Sequence, residues 1–522
     1  MRSYDAIVIG GGHNGLVHAA YLARAGRRVL VLERRHVLGG AAVTEEVFPG
    51  FHVSVCSYVV SLLRPQIIRE LDLARHGFEV LPLDGTFTPM PNGNYLWRVN
   101  DHGRTRREIL RHSRLDAEAY DEYGRAMIDM ARFVKPTLDR RAPDPLSLSP
   151  ADLRDLLRLG RRFQSMSSES RYRLVQLMTM SAADFLDRWF ETDVLKATMS
   201  ASGIIGTFQG VRSPGTAYVL LHHYMGEIDG AFRSWGFAKG GTGAISNAIA
   251  AAAREAGVEI RTNAGVSRIV TKNGRATGVA LENGDQIDAT IVSSSVDPRL
   301  TFTKFLDARE LPGDFLDEVR RYKFRGSSGK VNLALDGLPN FVSVPGETRH
   351  LRGAISISPS LEYMERAYDD AKYGRFSRHP YMDVVIPSLT DPSIAPAGKH
   401  VMTCFVQYAP YHLKNTTWDA EREAFGDAVI DTLSEYAPNL KSLILHRQVI
   451  TPLDLEREWG LSEGNIFQGE LALEQLLFLR PVPGWAKYRT PIANLYMCGS
   501  ATHPGGGIMG APGRNAALEI LT

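Results

Sequence analysis

The residues of this sequence that most clearly suggest chemistry lie near its N-terminus, in a glycine-rich turn. Gly10, Gly12 and Gly15 have the spacing Gly-x-Gly-x-x-Gly, and His13 and Asn14 stand between the last two. Gly10 permits a tight turn, Gly12 lets the backbone approach a pyrophosphate, and Gly15 lets the following helix lie close to the preceding strand. The free N–H groups at the start of that helix point at the phosphates. The spacing therefore predicts a dinucleotide-binding turn.

The elements around this turn have the order that such a site needs. Residues 4–9 form a near-continuous apolar run, typical of a strand buried inside a parallel sheet. Apolar residues recur at helical spacing after the turn, and Gly26 ends the helix. A second apolar strand, residues 28–32, leads to Glu33, which is placed to accept hydrogen bonds from an adenosine ribose. The unit predicts a bound dinucleotide but does not separate FAD from NAD(P).

A second glycine pair follows shortly after this acidic residue. Arg34 comes next in the chain, and Gly39-Gly40-Ala41 follows a few residues later. This stretch resembles one in FAD oxidoreductases of the amine oxidase and carotenoid desaturase type, whose backbone approaches the flavin side of the dinucleotide. Those proteins often have an arginine after the pair, whereas Ala41 stands here, so the resemblance implies only a main-chain contact. A plain loop is the alternative interpretation.

The C-terminus contains a further strand, glycine-rich turn and helix. Residues 494–499 predict a short strand that leads into a run with many glycines. Glycines at a helix N-terminus allow close backbone approach, here to the ribityl chain and the O2 edge of a flavin. The residues of this run expected to contact the cofactor are Gly499, Gly506, Gly507, Ile508 and Met509.

Three blocks of the chain resemble the carotenoid (phytoene) desaturase family of FAD oxidoreductases, in a branch named after a pyridine nucleotide-disulfide oxidoreductase domain. The blocks are the N-terminal turn, Gly240-Gly241 and the ending at residues 502–507, so they frame nearly the whole chain. The resemblance implies FAD as cofactor and an α/β fold: a Rossmann-type FAD-binding domain like those of glutathione reductase and amine oxidases, with a discontinuous α+β substrate domain. It also implies that Val266 covers the adenine, although core packing alone explains an apolar residue there.

Length and periodicity indicate how these domains are arranged. At 522 residues the chain is too long for one compact core. The expected FAD-binding domain consists of residues 1–95, 231–300 and 485–522. The expected substrate domain consists of residues 96–230, which have helical apolar spacing, and 301–484. Strand candidates in the second of these segments are residues 330–335, 351–357, 381–386 and 401–408.

Composition argues against several other classes of protein. A net charge of +2 gives no reason to expect a nucleic-acid partner. The three cysteines lie far apart, so neither a disulfide scaffold nor a redox pair is expected, and no metal-ligand spacing is present. No second Gly-x-Gly-x-x-Gly follows a strand, so we expect neither a separate NAD(P)H domain nor a disulfide reductase, despite the name of the branch. The cysteine usage favours a reducing, cytoplasmic compartment.

In such a protein the flavin performs the redox step, and side chains orient the substrate and move a proton. His503, on the C-terminal glycine-rich turn, is the candidate general base for C–H oxidation. A structural histidine bonded to the backbone is the alternative. Tyr58, His222 and Trp235 are candidate substrate-binding residues, for which ordinary core packing is at least as good an explanation.

The expected function is that of an FAD-dependent oxidoreductase that dehydrogenates a hydrophobic small molecule. Hydride passes from a C–H bond to the flavin, a double bond forms, and oxygen or a quinone reoxidises the flavin. An isomerase, a saturase or an amine oxidase on the same scaffold stays open, as does a non-catalytic FAD-binding interaction protein. Oligomeric state is not indicated.

One segment suggests contact with a membrane surface. Residues 151–164 predict a helix with Arg154, Arg158, Arg161 and Arg162 on one face and Leu153, Leu156 and Leu157 on another. A basic amphipathic helix of this kind can lie in a bilayer interface and admit a lipophilic substrate. Packing against its own domain, with a solvated charged face, is the other interpretation.

Overall fold

The structure, a computed structural model, describes residues 4–228, 231–232 and 234–522. Residues 1–3, 229–230 and 233 of the predicted domain ranges lie outside the described residues. The strands are β1 (Tyr4–Ile9), β2 (Val29–Leu32), β3 (Thr44–Phe48), β4 (Phe51–Ser54), β5 (Val80–Pro82), β6 (Thr86–Pro89), β7 (Tyr95–Arg98), β8 (Glu227–Ile228), β9 (Ala231–Phe232), β10 (Gly236–Ala238), β11 (Glu259–Arg261), β12 (Val266–Lys272), β13 (Arg275–Leu281), β14 (Gln286–Ser294), β15 (Ser328–Leu335), β16 (Ala354–Ile357), β17 (Tyr381–Val385), β18 (His400–Gln407), β19 (Ile444–Ile450) and β20 (Leu495–Met497).

Helices connect and cover these strands. They are α1 (His13–Arg24), α2 (Pro65–Glu70), α3 (His102–Leu110), α4 (Arg114–Val134), α5 (Pro150–Ser165), α6 (Ser168–Thr179), α7 (Ala182–Asp187), α8 (Asp193–Ser200), α9 (Thr216–Tyr224), α10 (Gly243–Glu255), α11 (Gly313–Arg321), α12 (Leu361–Lys372), α13 (Trp418–Tyr436), α14 (Leu440–Leu443), α15 (Pro452–Trp459) and α16 (Ala511–Leu521).

The first large sheet confirms the predicted Rossmann-type α/β arrangement. Its parallel part has the order β11-β2-β1-β14-β20, and β13 and β12 extend it antiparallel from the other half of β14. Residues 6–9 of β1 and all four residues of β2 are buried. Strands buried on both faces need near-continuous apolar sequence, and this is the pattern that identified them.

Helices α1, α10 and α16 pack together beside this sheet. Gly513 of α16 lies so close to α1 that a Cβ there would be 2.1 Å from the Asn14 carbonyl oxygen. The His18 ring joins three elements, because Nδ1 lies 3.0 Å from the Gly513 carbonyl oxygen and Nε2 lies 2.9 Å from the Ser293 hydroxyl. Burial lowers the pKa of His18 to about 4, so the ring is neutral and donates from one nitrogen while accepting at the other.

The second large sheet has the order β19-β15-β18-β17-β16-β6-β7 and is antiparallel except where β16 meets β6. Its strands confirm the candidates at 330–335, 381–386 and 401–408. In the candidate 351–357 the strand begins only at Ala354, after a 3₁₀ helix at Arg349–Arg352. Strands β6 and β7 also belong to it, so the expected domain boundary at residue 95 falls inside this sheet. The other expected boundaries stay predictions. All eight residues of β15 are buried, so this strand lies in the interior of the protein.

Replacing Gly513 with alanine is expected to destabilise the protein. The added Cβ would overlap the Asn14 carbonyl and force α1 and α16 apart, and such overpacking costs about 1–3 kcal/mol. Thermal unfolding of the purified protein measures the effect. The matched control is Gly160→Ala on α5, where a Cβ meets nothing within 4 Å and the free energy of unfolding should be unchanged or slightly raised. Equal melting temperatures for Gly513→Ala and wild type would contradict this packing argument.

Candidate active site

The glycine turn between β1 and α1 leaves the start of the helix open to a ligand. Gly10 has a φ of +96°, which favours glycine, and a Cβ on Gly15 would lie 2.3 Å from the Gly10 carbonyl oxygen. Helix α1 begins at His13 with Gly12 as its N-cap, and among the described residues no side chain caps it. Its first N–H groups therefore stay available to an anion such as a pyrophosphate.

Glu33 lies at the end of β2, next to this turn. Its Oε2 accepts a hydrogen bond of 2.8 Å from the Gly11 backbone N–H, and its Oε1 accepts one of 2.8 Å from the Arg35 N–H. Both carboxylate oxygens are thereby fixed in position. The Arg34 guanidinium donates to the Glu458 carbonyl at 2.8 Å. The ribose contact expected of Glu33 stays a prediction, as does the contact of Arg34.

Two buried polar atoms at the start of α1 fit a bound dinucleotide. His13 Nε2 and Asn14 Oδ1 have no hydrogen-bond partner within the described part of the chain, although Asn14 Nδ2 donates to the Ser500 hydroxyl at 3.0 Å. Buried polar atoms are ordinarily paired, so such atoms next to an uncapped helix indicate a missing polar partner. The Gly39 N–H donates to the Gly11 carbonyl at 2.9 Å and brings the second glycine pair to the same place.

The structure brings the predicted residues from both ends of the chain into the wall of one cavity of about 1000 Å³. The predicted cofactor residues that line it are His13, Ala41, Gly507 and Ile508. Ser500, which was not predicted, lines it as well. The remaining predicted cofactor residues are not part of that wall. Met509 lies buried behind it, and its carbonyl accepts from the Arg64 N–H at 3.1 Å. Val266 is buried in the apolar core of the first sheet, which leaves its adenine contact a prediction.

Lys330 of β15 is a cavity residue that sequence reasoning did not identify. Its Nζ donates to the carbonyls of Ser54 and Ser57, the latter at 3.2 Å, and it lies 5.8 Å from the centre of the Tyr58 ring. The Ser57 N–H in turn donates to the Ala41 carbonyl at 3.1 Å, so the amine lies close to the loop that is expected to approach the flavin. Burial lowers the pKa of Lys330 to about 7, which makes the neutral amine accessible near neutral pH.

Tyr58 lines the cavity and pairs with an acidic residue of the second sheet. Its hydroxyl donates to Asp383 Oδ2 at 2.7 Å. Burial raises the pKa of Asp383 to about 6, against the opposing effect of this hydrogen bond. The pair therefore joins the loop that contains Tyr58 to the second sheet, and the role of Tyr58 in substrate binding stays a prediction.

The three histidines and the tryptophan near the cavity have different environments. Trp235 lines the cavity, and its ring stacks on His223 with centroids 6.2 Å apart. His222 is buried on α9 outside the lining residues, and burial lowers its pKa to about 3. His503 is also outside the lining, with Nε2 2.9 Å from the Thr137 carbonyl oxygen, and burial lowers its pKa to about 4. Its catalytic role stays a prediction.

A single charged residue in a strand of otherwise uncharged residues is the signal that could have identified Lys330. It precedes the apolar residues of β15, and a lysine is rarely fully buried without a function or a partner. Asp383 interrupts β17 in the same way. Arg98, another lining residue, ends β7 and has no comparable sequence signal, because only the pairing of β7 with β6 brings it inward.

The site combines a Rossmann-type turn, polar atoms at the helix start that are unpaired within the described residues, and a cavity that a second sheet also lines. These features are typical of a dinucleotide-dependent oxidoreductase. The sequence model of one family, flavin containing amine oxidoreductase, matches residues 15–521. The chain belongs to this family, and its cofactor is FAD.

Relatives and solved structures agree with this assignment. Pyridine nucleotide-disulfide oxidoreductase domain-containing protein 2 from Rattus norvegicus is 40% identical, covering 99% of this chain and 93% of its own. A limonene dehydrogenase polypeptide from Castellaniella defragrans is 26% identical over an alignment that covers 100% of this chain and 95% of the relative. The crystal structure of cyclohexylamine oxidase from Brevibacterium oxydans superposes with a TM-score of 0.58 at 16% identity, covering 99% and 98%, which supports the fold alone. The expected FAD-dependent oxidoreductase is thereby confirmed.

Removing the charge of Glu33 is expected to weaken FAD binding. Glu33→Gln keeps the shape of the side chain but loses a charged acceptor beside the turn, and such a hydrogen bond is worth about 1.5–3 kcal/mol, or about tenfold to a hundredfold in affinity. Titration of the FAD-free protein with FAD measures this. Glu79→Gln, in an exposed pair with Lys239, is the control and should bind FAD like wild type. Unchanged affinity in Glu33→Gln would contradict the predicted ribose contact.

Proposed function

We propose that this protein is an FAD-dependent dehydrogenase that introduces a double bond into a small molecule with an apolar body. The observation that carries the proposal is the cavity of about 1000 Å³, whose wall contains both cofactor-side residues and the second sheet. Much of the remaining lining is aliphatic or aromatic, including Leu62, Met199, Ile205, Leu220, Phe405 and Ile466. Oxygen or a quinone is the proposed electron acceptor.

The residues present suit FAD in one orientation. Gly12 and the start of α1 would hold the pyrophosphate, Glu33 the ribose, and Ala41 with Gly507 the flavin end. When bound, FAD supplies the hydride acceptor. The protein must then exclude water, fix the substrate and accept a proton.

Lys330 is the proposed proton acceptor. Dehydrogenation of an H–C–C–H unit removes a hydride from one carbon and a proton from the other, and the electron pair of the second C–H bond becomes the new double bond. The lowered pKa of Lys330, about 7, leaves a neutral amine with a free electron pair, while two of its N–H groups donate to Ser54 and Ser57. Those contacts fix Nζ on the cavity wall, where a base must be held to take part in the reaction.

Amine oxidation on the same scaffold has less support from the cavity. A free carboxylate in the wall would favour an ammonium substrate, and both acids among the lining residues already have a partner, Asp383 in Tyr58 and Asp121 in His102. The cavity also holds the permanently charged Arg98. The name of the 26%-identical relative, a limonene dehydrogenase, agrees with an apolar substrate.

We also propose that helix α5 contacts an anionic membrane surface, which would bring lipophilic substrates to the protein. Leu153 and Leu157 are 44% and 64% exposed, and Arg154, Arg158 and Arg161 are exposed beside them. Leu146 and Leu148, just before the helix, are 88% and 86% exposed. Exposed leucines interleaved with arginines suit a helix that lies in a bilayer interface.

No helix in the described part of the chain is both long and apolar enough to cross a membrane. Cytoplasmic location stays a prediction.

Lys330→Met is expected to slow flavin reduction by about a hundredfold or more, because the proton acceptor is lost. Anaerobic stopped-flow mixing with limonene, phytoene, octanoate and cyclohexylamine, followed by flavin bleaching, identifies a substrate and gives the rate. In wild type the rate should rise with pH through about 7, where the ammonium of Lys330 loses its proton, and level off above it. The variant should lack this rise.

The control is Lys239→Met, because Lys239 is exposed and pairs with Glu79 on the surface. Its flavin should be reduced at the wild-type rate. If the rate of flavin reduction in Lys330→Met still rises through about pH 7, Lys330 is not the proton acceptor. Bleaching by none of the four compounds would instead favour a non-catalytic flavoprotein.

Leu153→Asp with Leu157→Asp is expected to release the protein from membranes, because two carboxylates replace the apolar side chains at the interface. Flotation with vesicles containing phosphatidylglycerol measures the bound fraction, which should fall several-fold. Added salt should also weaken wild-type binding, because it screens the arginines. Leu445→Asp, at a leucine that is 41% exposed on β19, is the matched control and should float like wild type. Equal flotation of the double variant would exclude α5 as the contact.

A further inference from the structure

Arg98, at the end of β7, is a buried cation without an acidic partner in the described part of the chain. It is 6% exposed, and it lines the cavity. Its Nε and Nη1 are buried and have no hydrogen-bond partner among the described residues. Its guanidinium does contact the Tyr120 hydroxyl. Burial lowers the pKa of Arg98, yet a guanidinium keeps its proton in proteins, so a positive charge is held in the cavity wall.

Two other buried arginines show how a buried guanidinium is ordinarily compensated in this protein. Arg64 makes a two-point ion pair with Asp139, at 2.7 and 2.8 Å. Arg480 is fully buried, and its guanidinium donates to backbone carbonyls on several segments, including that of Ser500 at 2.9 Å. Buried charges are ordinarily paired or hydrogen-bonded in this way, because an unpaired charge loses its hydration without compensation. Among the described residues Arg98 has no carboxylate partner, and its Nε and Nη1 lack the carbonyl acceptors that Arg480 has, which points to a partner from outside the chain.

The surroundings of Arg98 favour an anion. Tyr120, Tyr123 and Tyr224 all lie near its guanidinium and line the cavity. The Tyr123 hydroxyl is buried and has no hydrogen-bond partner within the described residues, so it is available as a further donor. The lining acid next in sequence to Tyr120, Asp121, lies 2.6 Å from His102 Nε2 and is therefore engaged. These groups form a pocket of donors with one net positive charge.

We propose that Arg98 and Tyr123 bind the carboxylate of the substrate. The inference rests on the proposed function, in which the cavity holds the compound that is oxidised. A single guanidinium balances a single negative charge, and its planar donors match a planar carboxylate. The apolar body of the molecule then packs on lining side chains such as Ile128, Met199 and Leu220. The substrate class is thus an amphipathic monocarboxylic acid rather than a hydrocarbon.

Binding of octanoate and of the neutral octanol to the FAD-loaded protein tests the proposal by isothermal calorimetry. Wild type should bind octanoate at least about tenfold more tightly than octanol. Arg98→Met should lose this preference while binding octanol and FAD as before. Arg98→Lys should retain part of it, because the charge remains but the planar donors do not.

Stability gives a second measurement that does not depend on activity. Without carboxylate, Arg98→Met should melt at a higher temperature than wild type, since an uncompensated buried charge is removed. Arg64→Met should melt lower, because it leaves Asp139 unpaired. Octanoate should raise the melting temperature of wild type and not that of Arg98→Met.

No preference for octanoate in wild type, including the case in which neither probe binds, would overturn the proposal, as would a preference that persists in Arg98→Met. The outcome is separable from the proposed function. Octanoate that binds at Arg98 while no compound bleaches the flavin would count against the dehydrogenase only. Bleaching by limonene without any carboxylate preference would count against the Arg98 site only.

Discussion

The close approach of three backbone segments is the constraint on which the rest of the molecule depends. Gly15 lies over the Gly10 carbonyl, and Gly513 lies over the Asn14 carbonyl, so the turn after β1, helix α1 and the last helix contact one another without intervening side chains. His18 adds hydrogen bonds from α1 to α16 and to β14. The cofactor side of the cavity therefore requires both ends of the chain, and it is complete only when α16 has docked on α1.

The second sheet is joined to this assembly by the same residues that line the cavity. Lys330 donates from β15 to the carbonyls of Ser54 and Ser57, and Asp383 of β17 accepts from Tyr58. Buried polar groups must be paired. These contacts pair the buried groups of Lys330 and Asp383, and they also fix the second sheet to the segment from Ser54 to Tyr58. The lysine proposed for proton transfer is therefore held by the interactions that join this sheet to that segment.

Local chemistry explains which parts of the fold were predictable from the sequence. The turn from Gly10 to Gly15 and the strand that ends at Glu33 follow from glycine spacing and apolar runs, which are read within a few residues. The position of Lys330 depends on the register between β15 and β18, and that of Arg98 on β7 joining β6, pairings that no local pattern encodes. His503 shows the reverse case. Its place on a glycine-rich turn was readable, but its contact with the Thr137 carbonyl comes from a distant segment.

Burial acts differently on the two basic residues of the cavity, and this difference separates their roles. A lysine amine can release its proton when it is desolvated, and the pKa of Lys330 falls to about 7. An arginine guanidinium cannot release its proton at any ordinary pH, so Arg98 keeps its charge although burial also lowers its pKa. Burial in one cavity wall therefore gives an amine that can accept a proton at one position and a fixed cation at the other. The proposed substrate presents a C–H bond to the amine and a carboxylate to the guanidinium.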